Sequence, residues 1–144
     1  MALQRTLSIV KPDGVARHAV GEVLRRFEKE GFRILGLRMI RLGREAAEGF
    51  YAVHRGKPFF DSLCTFMSSG PAVVVALEGE DAIARLREVM GSTDPAKAAE
   101  GTIRKLVGTN IERNAVHGSD SEASAAIEIP YFFRSVDLCG GTAR

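Results

Sequence analysis

A chain of 144 residues with a formal net charge of +2 has room for one compact domain with its own hydrophobic core, residues 1–144. Its basic residues are spread along the sequence, so the charge gives no argument for a nucleic-acid or membrane partner, although a few converging Lys and Arg could hold a small anion. Cys64 and Cys139 form no Cys-x-x-Cys pair, which leaves zinc and thioredoxin-like chemistry without support and points to reduced thiols in a cytoplasmic protein. The N-terminal apolar stretch is cut short by Lys11-Pro12-Asp13, too soon for a signal peptide, and no apolar run reaches the length of a membrane span.

Residues 6–11 read as a strand in which Leu7, Ile9 and Lys11 share one parity. Pro12-Asp13-Gly14 then reads as a turn. Val20, Val23, Leu24 and Phe27 fall at helical spacing, and Gly31 stands where a helix end favours a left-handed residue. Residues 32–42 read as a second strand. Ala46, Ala47, Phe50 and Tyr51 suggest an amphipathic helix, which Pro58 separates from a shorter one carrying Phe59, Leu63, Phe66 and Met67. The unbroken apolar run 71–77 is the candidate for a central strand covered on both faces. Ala82, Ile83, Leu86 and Met90 give a helix opened by Glu80 and Asp81 and closed by Gly91. Residues 92–114 lack periodicity apart from a short turn at 103–107, and a loop of that length favours a functional role. Residues 115–118 would make a very short fourth strand. Residues 121–128 read as a last helix, with a capping box in Ser119-Asp120-Ser121-Glu122 and Pro130 at its end. The order suggests α+β: a ferredoxin-like antiparallel sheet (βαββαβ) covered by helices, with one long active-site loop.

Three histidines are candidates for chemistry. His18 lies in a polar turn, and His54 near a helix end where a cation suits the dipole. His117 follows the long loop and precedes a helix N-terminus, with Gly118 allowing close approach and Ser119 offering a hydroxyl. A free imidazole titrates near ~6.5, so at neutral pH it is largely a base able to attack phosphorus, provided an acceptor holds the other ring nitrogen. Activity should therefore fall off in acid. Glu128, on the following helix, is a candidate acceptor. Phosphoryl transfer also needs fixed positive charge, and Lys11, Arg87 and Arg104 are candidates. No Walker-type or kinase-type Gly-rich loop exists, so a phosphate site must be built from scattered side chains.

Asn114-x-x-His117-Gly118-Ser119-Asp120 resembles the active-site signature of nucleoside diphosphate kinases. Thr6-Leu7-Ser8-Ile9-Val10-Lys11-Pro12-Asp13-Gly14 resembles that family's first strand and turn. Glu48-Gly49-Phe50-Tyr51 with Lys57-Pro58-Phe59-Phe60 resembles its helical hairpin, and Ser69-Gly70-Pro71 with Leu77-Glu78-Gly79 its central strand. Gly91-Ser92-Thr93-Asp94-Pro95 and Gly101-Thr102-Ile103-Arg104 resemble its long loop, and Glu128-Ile129 with Tyr131-Phe132-Phe133 its closing segment. The resemblance spans about residues 6–133 in order.

That resemblance implies an enzyme of the bacterial type, moving the γ-phosphoryl of a nucleoside triphosphate, mainly ATP, to nucleoside diphosphates by a ping-pong route with broad base specificity. It implies attack by His117 through Nδ1, Glu128 accepting from the other ring nitrogen, and Ser119 supporting that carboxylate. Lys11 and Tyr51 would sit near the transferred group, with Lys11 also reaching the ribose. Arg87, Thr93 and Arg104 would hold the other phosphates, Asn114 a ribose hydroxyl, and Phe59 and Ile111 the two sides of the base. Mg2+ would travel with the nucleotide, touching Asp120 through water. The partners implied are nucleotides and copies of the chain itself, as a homo-oligomer with a tetramer favoured over a hexamer; no membrane or nucleic acid is required. The sequence departs from the family pattern at Leu106-Val107, usually Asp and an aromatic residue, and at Pro130, where an early helix stop is expected. Arg134 and the tail 139–144 lie where members vary and where subunit contacts are often made. A histidine phosphocarrier would share the reactive His117 but would not need Phe59, Arg87, Thr93 and Asn114 as a set. A nucleic-acid-binding or interaction protein on the same fold would leave that set without a use.

Overall fold

In a computed structural model, residues 2–140 are described. Four strands form one antiparallel sheet: β1 (Leu3–Val10), β2 (Arg33–Arg41), β3 (Pro71–Glu80) and β4 (Val116–Gly118), in the spatial order β2-β3-β1-β4. Two helices, α1 (Pro12–Ala16) and α2 (Val20–Lys29), link β1 to β2. Another pair, α3 (Arg44–Phe50) and α4 (Phe60–Met67), links β2 to β3. The chain then runs through α5 (Ala82–Met90), a loop carrying α6 (Ile103–Val107), β4 and α7 (Glu122–Phe132). This is the ferredoxin-like α+β arrangement, each central strand lying between antiparallel neighbours.

Side-chain alternation along β3 builds two cores. Ala72, Val74 and Ala76 face Leu7, Ile9, Phe66, Ala125 and Ile129, while Val73, Val75 and Leu77 face Val10, Val23, Phe27, Leu86 and Met90. Both faces of β3 are covered, which is why its sequence is continuously apolar rather than alternating. Helix α2 ends as its glycine predicts. Gly31 has φ of +92°, Phe32 N–H donates to Phe27 O at 3.1 Å and Gly31 N–H to Glu28 O at 3.0 Å, and the rings of Phe27 and Phe32 meet edge to face.

Several local expectations give way to tertiary structure. Pro12-Asp13-Gly14 is not a simple turn but the first part of α1, because Pro at the first helical position presets the helical φ and lacks only an N–H that would be unpaired there. Lys11 follows β1 instead of closing it, and Glu80 ends β3 instead of opening α5. The cap of α7 is Ser121, which accepts from Ser124 N–H at 3.0 Å, so the box starting at Ser119 does not form. Pro130 does not stop α7, which runs on to Phe132. The proline lies in the last turn, and Phe132, Phe133 and the Tyr131 hydroxyl bond to Ala46 O at 2.7 Å hold that turn in place. Leu106 is exposed while Val107 packs against the second core. Residues 141–144 of the tail lie outside the described residues.

Gly91 closes α5 at φ of +89°, and a Cβ there would come within 2.5 Å of Thr102 Oγ1, the cap of α6. Gly91→Ala is expected to combine left-handed strain with overpacking, about 2–4 kcal/mol in all. Thermal unfolding followed by circular dichroism should show a melting temperature lower by at least about 5 °C. An unchanged midpoint would mean that the α5–α6 junction yields freely.

Candidate active site

Although β4 has only three residues, it determines where His117 points, because His117 pairs with Ile9 of β1. Directly opposite residues of an antiparallel pair share a face. The imidazole therefore lies with Ile9 on the α3 and α7 side, while Val116 enters the other core. There the Phe50 ring meets it edge-on at 5.6 Å between centroids, and Glu128 Oε1 lies 2.8 Å from Nε2. The same Oε1 accepts from Ser119 Oγ at 2.8 Å, and Ser119 Oγ accepts from the Leu7 N–H at 3.2 Å. Ser119, fully buried, is thus tied to both β1 and α7. A carboxylate at Nε2 favours the tautomer protonated there, which leaves a lone pair on Nδ1.

The approach to His117 is strained. Ala115 has φ of +74°, unusual for a residue with a Cβ. Its carbonyl accepts from Lys11 N–H at 2.8 Å, and its N–H donates to Asp13 Oδ2 at 3.0 Å. The neighbouring Asn114 is buried and fully used on its amide side. Its Nδ2 donates to Thr93 O at 3.0 Å and to Ile111 O at 2.9 Å, while its Oδ1 accepts from Lys11 Nζ at 2.9 Å.

Positive charge gathers at the same end of the sheet without forming ion pairs among the described residues. Arg104 of α6 is buried and donates to Gly91 O at 3.1 Å and Val116 O at 2.8 Å, both neutral carbonyls. Its pKa is lowered to about 10 by burial and by nearby Arg87. Lys11 is lowered to about 8, first by burial and then by Arg104, with Asp13 and Glu112 opposing. Among the described residues none of Lys11, Arg87 and Arg104 forms an ion pair. Arg87, Thr93 and Arg104 line one open cleft of about 550 Å3. Arg104 is buried beside the exposed Arg87, and a buried charge without a counter-ion is costly, so a cleft lined this way favours an anionic ligand.

Comparison with known proteins decides the family. The model of the nucleoside diphosphate kinase family matches residues 4–138. The chain belongs to the nucleoside diphosphate kinase family. It is 62% identical over 138 residues to a nucleoside diphosphate kinase of Desulfosudis oleivorans, covering 96% of this chain and 99% of that one. A Sorangium cellulosum nucleoside diphosphate kinase is 58% identical over 138 residues, with 96% of each chain covered. The crystal structure of the Aquifex aeolicus nucleoside diphosphate kinase superposes with a TM-score of 0.94 at 49% identity, covering 95% of this chain and 99% of that one. A halophilic nucleoside diphosphate kinase from Halobacterium salinarum, in complex with CDP, superposes with a TM-score of 0.93 at 40% identity, covering 98% and 94% respectively. The reaction of this nucleoside diphosphate kinase is transfer of a γ-phosphoryl group from a nucleoside triphosphate to a nucleoside diphosphate.

The Tyr51 hydroxyl is buried and has no partner among the described residues, and burial together with Glu128 pushes its pKa up, which keeps it a neutral phenol. Phe59, just before α4, and Ile111, in the long loop, remain exposed. Asp120 adjoins Arg87 on a neighbouring concavity, and its Oδ1 accepts from Ser124 Oγ at 2.6 Å, which holds its carboxyl below the usual range. His54 ends a short 3₁₀ helix rather than a longer amphipathic one. It lies in a 3₁₀ turn after α3, with its ring between Tyr51 and Phe59 and a buried Nδ1. Sequence reasoning missed Phe50, Asp13 and Ala115. All three lie inside segments already singled out, but nothing local indicates which partner each would meet.

Among the described residues no helix is long and apolar enough to cross a membrane, and no group of His, Cys, Asp and Glu is placed to hold a metal.

Proposed function

We propose that the chain is a single nucleoside diphosphate kinase domain in which His117 Nδ1 is the nucleophile and Glu128, Ser119, Lys11 and Tyr51 complete the catalytic set. The observation that carries this reading is the 2.8 Å contact between Glu128 Oε1 and His117 Nε2. It leaves the ring's free electron pair on Nδ1. In the first half-reaction the Nδ1 lone pair forms an N–P bond as the bond from the γ-phosphorus to the β–γ bridging oxygen breaks. That oxygen keeps the electron pair and leaves with the nucleoside diphosphate. Glu128 faces the positive charge that develops on the ring. In the second half-reaction a terminal oxygen of another nucleoside diphosphate attacks the phosphorus, and Nδ1 recovers its pair.

Lys11 and the Tyr51 hydroxyl are donors for the transferred group, and Lys11 also reaches the ribose. Arg87, Thr93 and Arg104 hold the remaining phosphates. Asn114 Oδ1, with a second lone pair free beside its bond to Lys11, accepts from a ribose hydroxyl. Phe59 stacks on the base with Ile111 on the other side, an arrangement indifferent to base identity because every base has a π-face. A relative from Halobacterium salinarum is known in complex with CDP, which supports a pyrimidine diphosphate as one substrate.

Mg2+ is the divalent ion we assign. Asp120 has Oδ1 engaged with Ser124, which leaves Oδ2 to touch a hydrated ion. That fits an ion carried by phosphates and water rather than a protein cage. Bound there, it would neutralise phosphate charge. We read the assembly as a homo-oligomer, a tetramer before a hexamer as the family resemblance implies; the exposed Leu37 and Met39 on edge strand β2 support self-association only. A cytoplasmic location is supported by Cys64 and Cys139 being free thiols.

Incubation with Mg-ATP, removal of nucleotide and intact-mass measurement test the assignment. One added phosphoryl group, discharged by GDP to give GTP, is the expected result. A phosphoryl group that GDP leaves in place would indicate a phosphocarrier, and no addition would overturn the reading. The pH profile gives a second check. Lys11, with a pKa lowered to about 8, is charged below that pH and neutral above it, so kcat/KM should fall as pH rises past about 8. A profile flat to about pH 10 would mean that Lys11 keeps its proton at the site as an ordinary lysine does.

A further inference from the structure

We propose that Asp13 is a positioning residue for phosphoryl transfer, its carboxylate holding the left-handed Ala115 peptide and thereby the segment 114–117 that presents Asn114 and His117. The inference rests on the reading of His117 as nucleophile. Asp13 lies on the short helix α1, 8% exposed, where a carboxylate needs bonds to offset its lost hydration. It forms no ion pair among the described residues. Its Oδ2 accepts from Ala115 N–H at 3.0 Å, and its Oδ1 is buried without a partner. A residue with a Cβ at φ of +74° persists only where its surroundings hold it. Here the polar groups on both sides of Ala115 are tied to one tripeptide: its carbonyl to Lys11 N–H and its N–H to Asp13. Gly14 completes the seat, since a Cβ there would press on Ala115 O at 3.1 Å.

Without the carboxylate, Ala115 can relax to a negative φ, which rotates the peptides on either side. Asn114, one residue before, would then lose register with Lys11 Nζ, Thr93 and Ile111, and His117, two residues after, would lose register with Glu128. Asp13 also acts through charge. Lys11 faces Arg104, which disfavours its proton, and Asp13 and Glu112, which favour it. The two duties separate by substitution: Asp13→Asn keeps an acceptor oxygen and removes the charge, and Asp13→Ala removes both.

The test compares wild type, Asp13→Asn and Asp13→Ala by kcat and KM for nucleotide, by the pH dependence of kcat/KM, and by folded fraction from circular dichroism. For Asp13→Ala we expect kcat per folded molecule about 10- to 100-fold lower, with KM for nucleotide raised as well, because Asn114 and its bond to Lys11 move with the segment. Asp13→Asn should recover most of that kcat on the acidic side of the profile, while its alkaline limb moves at least about half a pH unit below the wild-type position. Wild-type kcat and an unmoved limb in both variants would overturn the proposal. So would an Asp13→Ala loss explained wholly by unfolded protein with the Asp13→Asn limb in place. If Asp13→Ala does not fold, the Asp13→Asn limb decides alone. A wild type that takes no phosphoryl group from Mg-ATP overturns the nucleophile reading, and this inference with it.

Discussion

His117→Ala is expected to lower kcat for phosphoryl transfer by roughly four orders of magnitude or more and to leave no phosphoryl group on the protein after Mg-ATP. No neighbouring group can take over. The Ser119 hydroxyl is fully buried, donating to Glu128 and accepting from Leu7 N–H. The His54 ring is held between Tyr51 and Phe59. The fold should tolerate the change, because the imidazole contributes an edge contact with Phe50 and a bond to Glu128, which keeps Ser119 as a donor, and losing both costs about 1–2 kcal/mol. The cations are untouched, so nucleotide affinity should stay within a few-fold of wild type. Intact mass, equilibrium nucleotide binding and thermal unfolding, measured together, separate lost chemistry from lost structure. Stoichiometric phosphorylation of His117→Ala would sink the assignment outright.

The second large effect is expected at Glu128. Its Oε1 serves both His117 Nε2 and Ser119 Oγ. Glu128→Ala frees the imidazole to turn or to adopt the other tautomer, removes the negative charge facing the ring, and leaves the Ser119 hydroxyl without its acceptor. The rate of His117 phosphorylation in a single turnover should fall by about 10²- to 10⁴-fold. The unsatisfied serine should cost about 1–3 kcal/mol of stability. Glu128→Gln should lie between, since an amide oxygen can accept from both donors but carries no charge to oppose the developing cation. Rapid-mix phosphorylation rates for the three proteins provide the check. Equal rates for wild type and Glu128→Ala would mean that tautomer and orientation are held by something other than this carboxylate.

Both effects concern groups whose meaning depends on distant partners, and there the sequence and the fold divide their work. Local periodicity carries most of the elements. The continuous apolar run in β3 signals a strand covered on both faces, Gly31 signals the end of α2, and the short turn at 103–107 coincides with α6. Such features depend on neighbours within about four residues, where chain stiffness and side-chain spacing act directly. The resemblance, and then the family match over residues 4–138, give the reaction. Where local rules failed, a longer-range contact had overridden them. Ser119 is drawn to Glu128 and Leu7 rather than to a helix cap, and Pro130 is carried inside α7 by the packing of the residues after it. Only the tertiary structure joins Lys11 to Asn114 across 103 residues of sequence, sets Asp13 beneath Ala115 across 102, and buries Arg104 without a carboxylate. Strand register makes those pairings, because aligning β4 on β1 brings together groups that nothing in their own neighbourhoods marks as partners.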